Sequence, residues 1–450
     1  MRPIDIRTQP LPPCTATIGA RAAHGTAIAP PSKSVSHRML IAAALAKGES
    51  MLSGLAFSED ISATIDVLTA LGARFEVLDD NGAANEKTVR VIGCGGAIAE
   101  GGGELFCRES GSTLRFAIPL CLLSRASRTL RGSARLFSRP LDAYQALFPA
   151  RCGTCVIDPQ LPDAQAGTLQ ILGGKSLYGR KYQLSGDISS QFISGLLLSL
   201  PLCHGEDSRI ELTSPPQSRP YIDLTLDALR RFGVRAAWEN ETVLLVPAGQ
   251  SYRPYHGRVE GDASNAAFFE ALNAVGGDVR VRGLSADSLQ GDRVYAELLA
   301  MLALPRREGT LPCIDLADCP DLAPVLFAVA AEKGGAIFTH TDRLRIKECD
   351  RIAAMQAELA KFGAVIEAID GLDGGTVRVL PTRLHSPTEV LDGHNDHRVV
   401  MSLAVLATKY GGIIRGAEAV NKSFPHFFSA LYALGADVTL LKIETNGNIN

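Results

Sequence analysis

Six short runs gather ionisable and hydroxyl side chains, and each leads straight into an apolar stretch. "PPSKSVSHR" (residues 30–38) enters "MLIAAALAKG", "CRESGSTLR" (107–115) enters "FAIPLCLL", and "GDISSQ" (186–191) enters "FISGLLLSL". "SRPY" (218–221) precedes "IDLTLDALRRFG", "RLRIKECDR" (343–351) precedes "IAAMQAELAKFG", and "GHNDHR" (393–398) precedes "VVMSLAVLA". Each reads as a loop that opens a helix. The first turn of a helix leaves backbone N–H groups unpaired and carries partial positive charge. Lys, Arg and hydroxyl groups added there can hold a phosphate or a carboxylate. One such run alone is equally well an ordinary Ser or Asp cap beside a solvated basic face. Six runs with one grammar point to convergence on a common anionic ligand.

"RLRIKECDR" is the most informative of them. Lys347 and Arg351 are four apart, so a helix would place them on one face with Glu348 beside them. A carboxylate among cations stays ionised as an ion-pair partner; in a site dried by substrate closure it can instead exchange protons. Spacing leaves both readings open, as it does for His397 beside Arg398, a helix cap or a catalytic group. The chain has no HExxH, EF-hand or GxxxxGK[ST] pattern, so no metal site or P-loop is expected. "GCGGAIAEGGG" (93–103) follows a strand pattern without GxGxxG order and reads as a flexible loop.

The elements that must carry these runs form a repeat. "LTALGARFEV" around Gly72 returns as "DALRRFGVRAAW" at Gly233, "AELAKFGAVIEA" at Gly363 and "SALYALGADVTL" at Gly435, with weaker copies near Gly153 and Leu304. Each strong copy is an amphipathic helix closed by Gly and followed by a short strand. A second strand follows in "TVRVIG" from Thr88, "TLQILG" from Thr168, "TVLLVP" from Thr242 and "TVRVLP" from Thr376. The spacing predicts an α/β protein of about six such units.

A chain of 450 residues exceeds one ordinary core, so two or three domains are expected. Hydrophobic residues at 46% and charged residues at 21% describe a soluble globular protein. A net charge of −3 offers no general attraction to nucleic acid or an anionic membrane, so anion affinity must be local. No apolar stretch approaches the roughly 18 residues of a membrane span. The start, "MRPIDIRTQPLPPC", lacks the apolar core of a leader, and a cytoplasmic protein is expected. Ten cysteines do not suggest a disulfide scaffold, and "CGTC" (Cys152 and Cys155) has no second pair to complete a metal site.

From about Ala29 to about Gly435 the chain resembles the 5-enolpyruvylshikimate-3-phosphate synthase family of enolpyruvyl transferases. The resemblance rests on "SKSVSHR", "SSQF", "SRPYIDLTL", "VEGDAS", "LQGD", "PDLA", "RIKECDR", "NDHR" and "NKSFP", in the family's order. It implies two domains, each of three βαβαββ units, with ligands in the interdomain cleft. The expected division is 1–32 plus 260–450 against a continuous 33–259. The implied reaction transfers the enolpyruvyl group of phosphoenolpyruvate to the 5-hydroxyl of shikimate 3-phosphate and releases phosphate. It needs no metal or organic cofactor and no macromolecular partner, and a monomer is usual.

By the same resemblance, Lys33, Arg139, Arg351, Arg398 and Lys422 surround the phosphate and carboxylate of phosphoenolpyruvate, with Gly111 and Ser112 beside them. Lys33, Ser34, Arg38, Ser189, Ser190, Ser218 and Tyr221 hold shikimate 3-phosphate, and Gln191 reaches toward both ligands. Asp321 takes the proton of the substrate hydroxyl, Glu348 gives and removes the proton at C3, and Lys347 stands alongside. Four positions depart from the family pattern: Glu109 and Ser112 replace Asn and Thr, Arg343 stands where Asn is common, and Pro31 replaces Gly. Glu109, Arg343 and His37 carry no assigned role. The sister transferase acting on UDP-N-acetylglucosamine usually has a Cys five residues before its Arg-Pro, where this chain has Ala134. A non-catalytic anion- or RNA-binding protein on the same repeat would explain the basic helix starts but not Asp321 and Glu348.

Overall fold

A computed structural model describes residues 2–81, 86–174, 176–305, 310–371 and 374–443 of the chain. The chain divides into two compact units. The central unit is Pro31–Glu260 with Leu289–Gly291; the terminal unit takes the chain up to Pro30, Gly261–Ser288 and everything from Asp292.

Within the central unit one strand pattern occurs three times. Gly103–Arg108 pairs parallel with Arg128–Gly132, which pairs antiparallel with Gly167–Ile171, which pairs antiparallel with Val156–Ile157. The order recurs in Lys181–Leu184, Ser208–Leu212, Val243–Val246 and Ala237–Trp238, and again in His256–Arg258, Lys47–Leu55, Glu86–Cys94 and Arg74–Asn81. The terminal unit repeats it in Cys313–Asp315, Ala336–Thr339, Thr376–Leu380 and Val365–Ile369. A further copy joins Leu391–Asp392, Gly412–Arg415 and Val438–Lys442, but its third position is filled by Cys14–Ile18 from the start of the chain. His24–Ile28 pairs parallel with Asp278–Arg282 in the sixth sheet.

The repeats read from sequence are these units. The helices Glu59–Ala70, Arg219–Arg231, Arg351–Ala360 and Phe427–Ala433 are followed by Gly72, Gly233, Gly363 and Gly435, all with φ between 74° and 112°. A side chain would be strained there, and glycine turns the chain into the next strand at no steric cost. The weaker copy near Gly153 leads to Val156–Ile157; the strand position after Leu304 lies outside the described residues.

Each unit has its own core. The helices Lys33–Leu45, Gly111–Leu122 and Ser190–Ser199 are buried along nearly their whole length, as are Ala263–Ala274, Ala323–Glu332 and His397–Tyr410 in the terminal unit. Gly111–Leu122 packs on Ser190–Ser199, and the three terminal-unit helices pack on one another. Burying each Leu, Ile or Phe of such a helix contributes about 1.5–3 kcal/mol. A helix enclosed on all sides can offer polar groups only at its ends, so these helices deliver chemistry at their N-termini. Among the described residues no helix is long and apolar enough to cross a membrane.

Candidate active site

Helix capping explains how the polar runs are placed. Ser32 Oγ accepts from Val35 N–H, Ser110 Oγ from Thr113 N–H and Ser189 Oγ from Gln191 N–H. Asp350 and Asp396 cap Arg351–Ala360 and His397–Tyr410 in the same way. Ser218, buried and left-handed at φ 57°, precedes Arg219–Arg231 without a side-chain cap. Capping places the next residues of each run at the helix mouth.

In the central unit four cations gather. Arg38 donates Nε to Thr225 Oγ1 (2.7 Å), Nη1 to the Ser34 carbonyl (2.7 Å), and Nη2 to the Tyr221 carbonyl (2.8 Å) and Ser194 Oγ (3.3 Å). Burial pushes its pKa down to about 10. Arg115 donates Nη1 to Gln191 Oε1 (2.8 Å), and Gln191 Nε2 donates to Ser112 Oγ (2.9 Å). Lys33 lies 2.8 Å from Asp60. Arg139 is 8% exposed, and among the described residues no group accepts a hydrogen bond from its guanidinium. A Cβ on Gly111 would sit 2.7 Å from Arg139 Nη1 and 3.1 Å from Arg115 Nη1. Only glycine lets two guanidinium groups crowd this helix start.

In the terminal unit the cations meet carboxylates. Arg351, 1% exposed, donates Nε to Asp396 (2.8 Å), Nη1 to Asp321 (2.9 Å) and Nη2 to Glu348 (2.7 Å). Burial opposes its charge, but these carboxylates outweigh burial and hold its pKa well above the ordinary arginine range. Asp321 also accepts from Arg398 Nη2 (3.0 Å) and Lys347 Nζ (3.3 Å). Burial lowers the Lys347 pKa to about 8; Asp321 resists this, and Arg351 and Arg343 add to it. Lys422 donates to the Asn395 carbonyl (2.6 Å), and the buried His397 ring stands 4.0 Å from Asp396. Two buried cations and a lysine thus hold one carboxylate, with a second carboxylate on the same guanidinium. Such a cluster can bind an anion and move protons.

One local expectation fails. Lys347, Glu348 and Arg351 do not share a helical face: Asp342–Ile346 is a 3-10 turn, Lys347 is extended, and the α-helix starts at Arg351. Asp350 caps that helix by accepting from Ile352 and Ala353 N–H, which stops it from extending back to Lys347. The three side chains still converge, on Asp321 and Arg351. Ala134, at the position of the sister enzyme's Cys, opens the helix Ala134–Ser138.

His37 lies wholly inside the protein, with Nδ1 2.7 Å from Thr64 Oγ1; Thr64 and Thr113 share a hydrogen bond, and Thr113 donates to Ser110 Oγ. Burial, then the Lys33 and Arg38 charges, keeps its pKa well below the usual histidine range. It is a neutral brace for the Gly111–Leu122 cap. Glu109 is half-buried between left-handed Arg108 and the cap Ser110; Ser190 is buried in the first turn of its helix. Reasoning from sequence missed Arg115 as a further site cation, and missed Asp60, Ser264 and Asp396 as the partners of Lys33, Arg398 and Arg351. Arg115, four residues after Gly111 on one helix face, was open to discovery; Asp60 and Ser264 carried no local signal. All ten cysteines, Cys152 and Cys155 included, are free thiols, and among the described residues no group of His, Cys, Asp or Glu is disposed to hold a metal.

Comparison with known proteins places this geometry in context. The family model described as EPSP synthase (3-phosphoshikimate 1-carboxyvinyltransferase) matches residues 19–431. A 3-phosphoshikimate 1-carboxyvinyltransferase of Clostridium perfringens is 38% identical over 429 residues, covering 91% of this chain and 96% of that protein. One from Clostridioides difficile is 35% identical over 436 residues, covering 91% and 94%. The EPSP synthase structure from Acinetobacter baumannii superposes with TM-score 0.72 at 24% identity, covering 95% of this chain and 100% of that one. The enolpyruvyl transferase NikO of Streptomyces tendae has TM-score 0.69 at 16% identity, covering 96% and 99%. The solved structures show a shared fold. With a family model spanning most of the chain and relatives alike over nearly their full length, the chain belongs to the EPSP synthase family.

Proposed function

We propose that the protein transfers the enolpyruvyl group of phosphoenolpyruvate to the 5-hydroxyl of shikimate 3-phosphate, by addition and elimination through a tetrahedral intermediate. The observation that carries the residue assignments is the joining of Asp321 and Glu348 through the one buried guanidinium of Arg351. Asp321, held by three cations, takes the proton from the 5-hydroxyl as its oxygen bonds to C2 of phosphoenolpyruvate. Glu348 delivers a proton to C3. In the second step Glu348 recovers a C3 proton, the C2–phosphate bond breaks, and phosphate leaves. Lys33, Arg139, Arg351, Arg398 and Lys422 neutralise the phosphate and carboxylate, with Gly111, Ser112 and Gln191 shaping that pocket. Ser34, Arg38, Ser189, Ser190, Ser218 and Tyr221 hold shikimate 3-phosphate. Fixed cations aimed at departing phosphate lower the barrier without reorganising solvent. His397, buried at its helix start 4.0 Å from Asp396, takes no step in this mechanism. The same reading has the protein act as a cytoplasmic monomer on two small anions, with no nucleic acid or membrane partner.

The test is phosphate release on mixing the protein with both substrates, repeated with each omitted. Release is expected only with both present. Release without shikimate 3-phosphate, or none with both, sinks the proposal.

A further inference from the structure

The turn 392–396 leads into His397–Tyr410 and is held by more than its own backbone. His394 and Asn395 are consecutive non-glycine residues in the left-handed region, at φ 49° and 51°. A side chain rarely adopts that conformation once, and a pair persists only where the surroundings impose it. Here the imposing group is Glu358, a buried carboxylate on Arg351–Ala360. Glu358 Oε1 lies 2.9 Å from His394 Nε2, while Oε2 accepts from the Asp392 N–H (2.8 Å) and Lys361 Nζ (2.8 Å). The Asp392 carboxylate accepts from the His394 N–H at 2.7 Å.

This turn also delivers groups that set the terminal-unit cluster. The Asn395 carbonyl holds Lys422, the Asp396 carboxylate holds Arg351, and the helix it opens carries Arg398 onto Asp321. We propose that His394 is a positioning residue: by clamping the 392–396 turn onto Glu358, it fixes Lys422, Arg351 and Arg398 in register for phosphoenolpyruvate. The proposal rests on the enolpyruvyl reading for its kinetic effect.

The charged groups around the imidazole are Glu358 and Lys361 on the helix side and Asp392 in its own turn, with Arg415 of Gly412–Arg415 on the far side of Asp392 at 3.2 Å. The hydrogen bond to Glu358, against partial burial, raises the His394 pKa above the ordinary value. A raised histidine contributes its full charge-dependent share below the ordinary pKa and loses it as pH rises through the folded value. The clamp is therefore tightest on the acid side. A third of the side chain is exposed (32%), so it exchanges protons with solvent.

The experiment compares the full-length wild type with His394→Phe and His394→Gln in two arms. In the first, hydrogen exchange is followed in peptides covering 392–398 and 417–422. His394→Phe is expected to speed exchange in both, and His394→Gln, which keeps a donor for Glu358, to restore protection. In the second, KM for phosphoenolpyruvate is measured against pH. His394→Phe is expected to raise it about tenfold on the acid side, as for a lost hydrogen bond to a charged group, with kcat changed far less. Wild-type KM should climb with rising pH, whereas that of His394→Gln should stay level. Unaltered exchange in 417–422, or a wild-type pH profile retained by His394→Gln, overturns the proposal. If the wild type releases no phosphate at all, the enolpyruvyl reading fails and the exchange arm alone decides the clamp.

Discussion

In the terminal unit Arg351 gives Nε and both Nη groups to three carboxylates, while in the central unit Arg38 meets only hydroxyl and carbonyl oxygens. Arg139, also buried, has no acceptor for Nε among the described residues. The same side chain is thus used in two ways. Carboxylates fix Arg351 and balance its charge within the cluster. Neutral partners hold Arg38 in place and leave its positive charge for an incoming anion. In the proposed mechanism this contrast divides the residues assigned to proton transfer from those assigned to binding, and each half can be broken on its own.

The largest effect is expected from Glu348→Gln, which keeps a group near Arg351 but cannot trade a proton. Turnover should fall by about 10²–10⁴-fold while substrate affinity changes little. Near-normal turnover in rapid-quench assays would remove Glu348 from the proton path. Next comes a paired comparison of Arg351→Met and Arg139→Met. Removing Arg351 takes away the buried cation shared by Asp396, Asp321 and Glu348 and should cost about 3–5 kcal/mol in chemical denaturation. Removing Arg139 deserts no protein partner, so stability should hold, while KM for phosphoenolpyruvate rises about 10–100-fold for the lost charge-assisted bonds. Equal stability losses in the two variants would erase the contrast.

A smaller effect concerns pH. Burial holds Lys347 at about 8, so between that value and the ordinary lysine range the unfolded chain binds a proton that the folded one does not. Unfolding then takes up a proton, and stability rises with pH across that window. Lys347→Met should lack this rise in denaturation curves. Over the same window kcat/KM of the wild type should fall, and Lys347→Arg should abolish that limb. The smallest change is Ser112→Ala, which deletes the acceptor for Gln191 Nε2 and should weaken phosphoenolpyruvate binding by about 1 kcal/mol.

Much of the fold was legible because its signals are local. Gly72, Gly233, Gly363 and Gly435 mark the same helix-to-strand turn, and the threonine-led second strands fall at Glu86–Cys94, Gly167–Ile171, Val243–Val246 and Thr376–Leu380. The site runs were legible as helix mouths for the same reason, since capping involves residues two or three apart. The helix assumed through Lys347 was misread because spacing alone does not show where Asp350 caps.

By itself, then, the sequence determined the repeat, the caps and the set of cations, all products of periodicity and short-range hydrogen bonding. Only the tertiary structure decided which cations are paired with carboxylates. Arg351 meets Asp396 across 45 residues, Arg398 meets Asp321 across 77 and Ser264 across 134. Those encounters depend on which helices pack side by side, and no spacing along the chain encodes them. The N-terminal strand Cys14–Ile18 completing the last sheet is the same lesson at the level of the backbone. Its own residues call for a strand, and only packing chooses the partner.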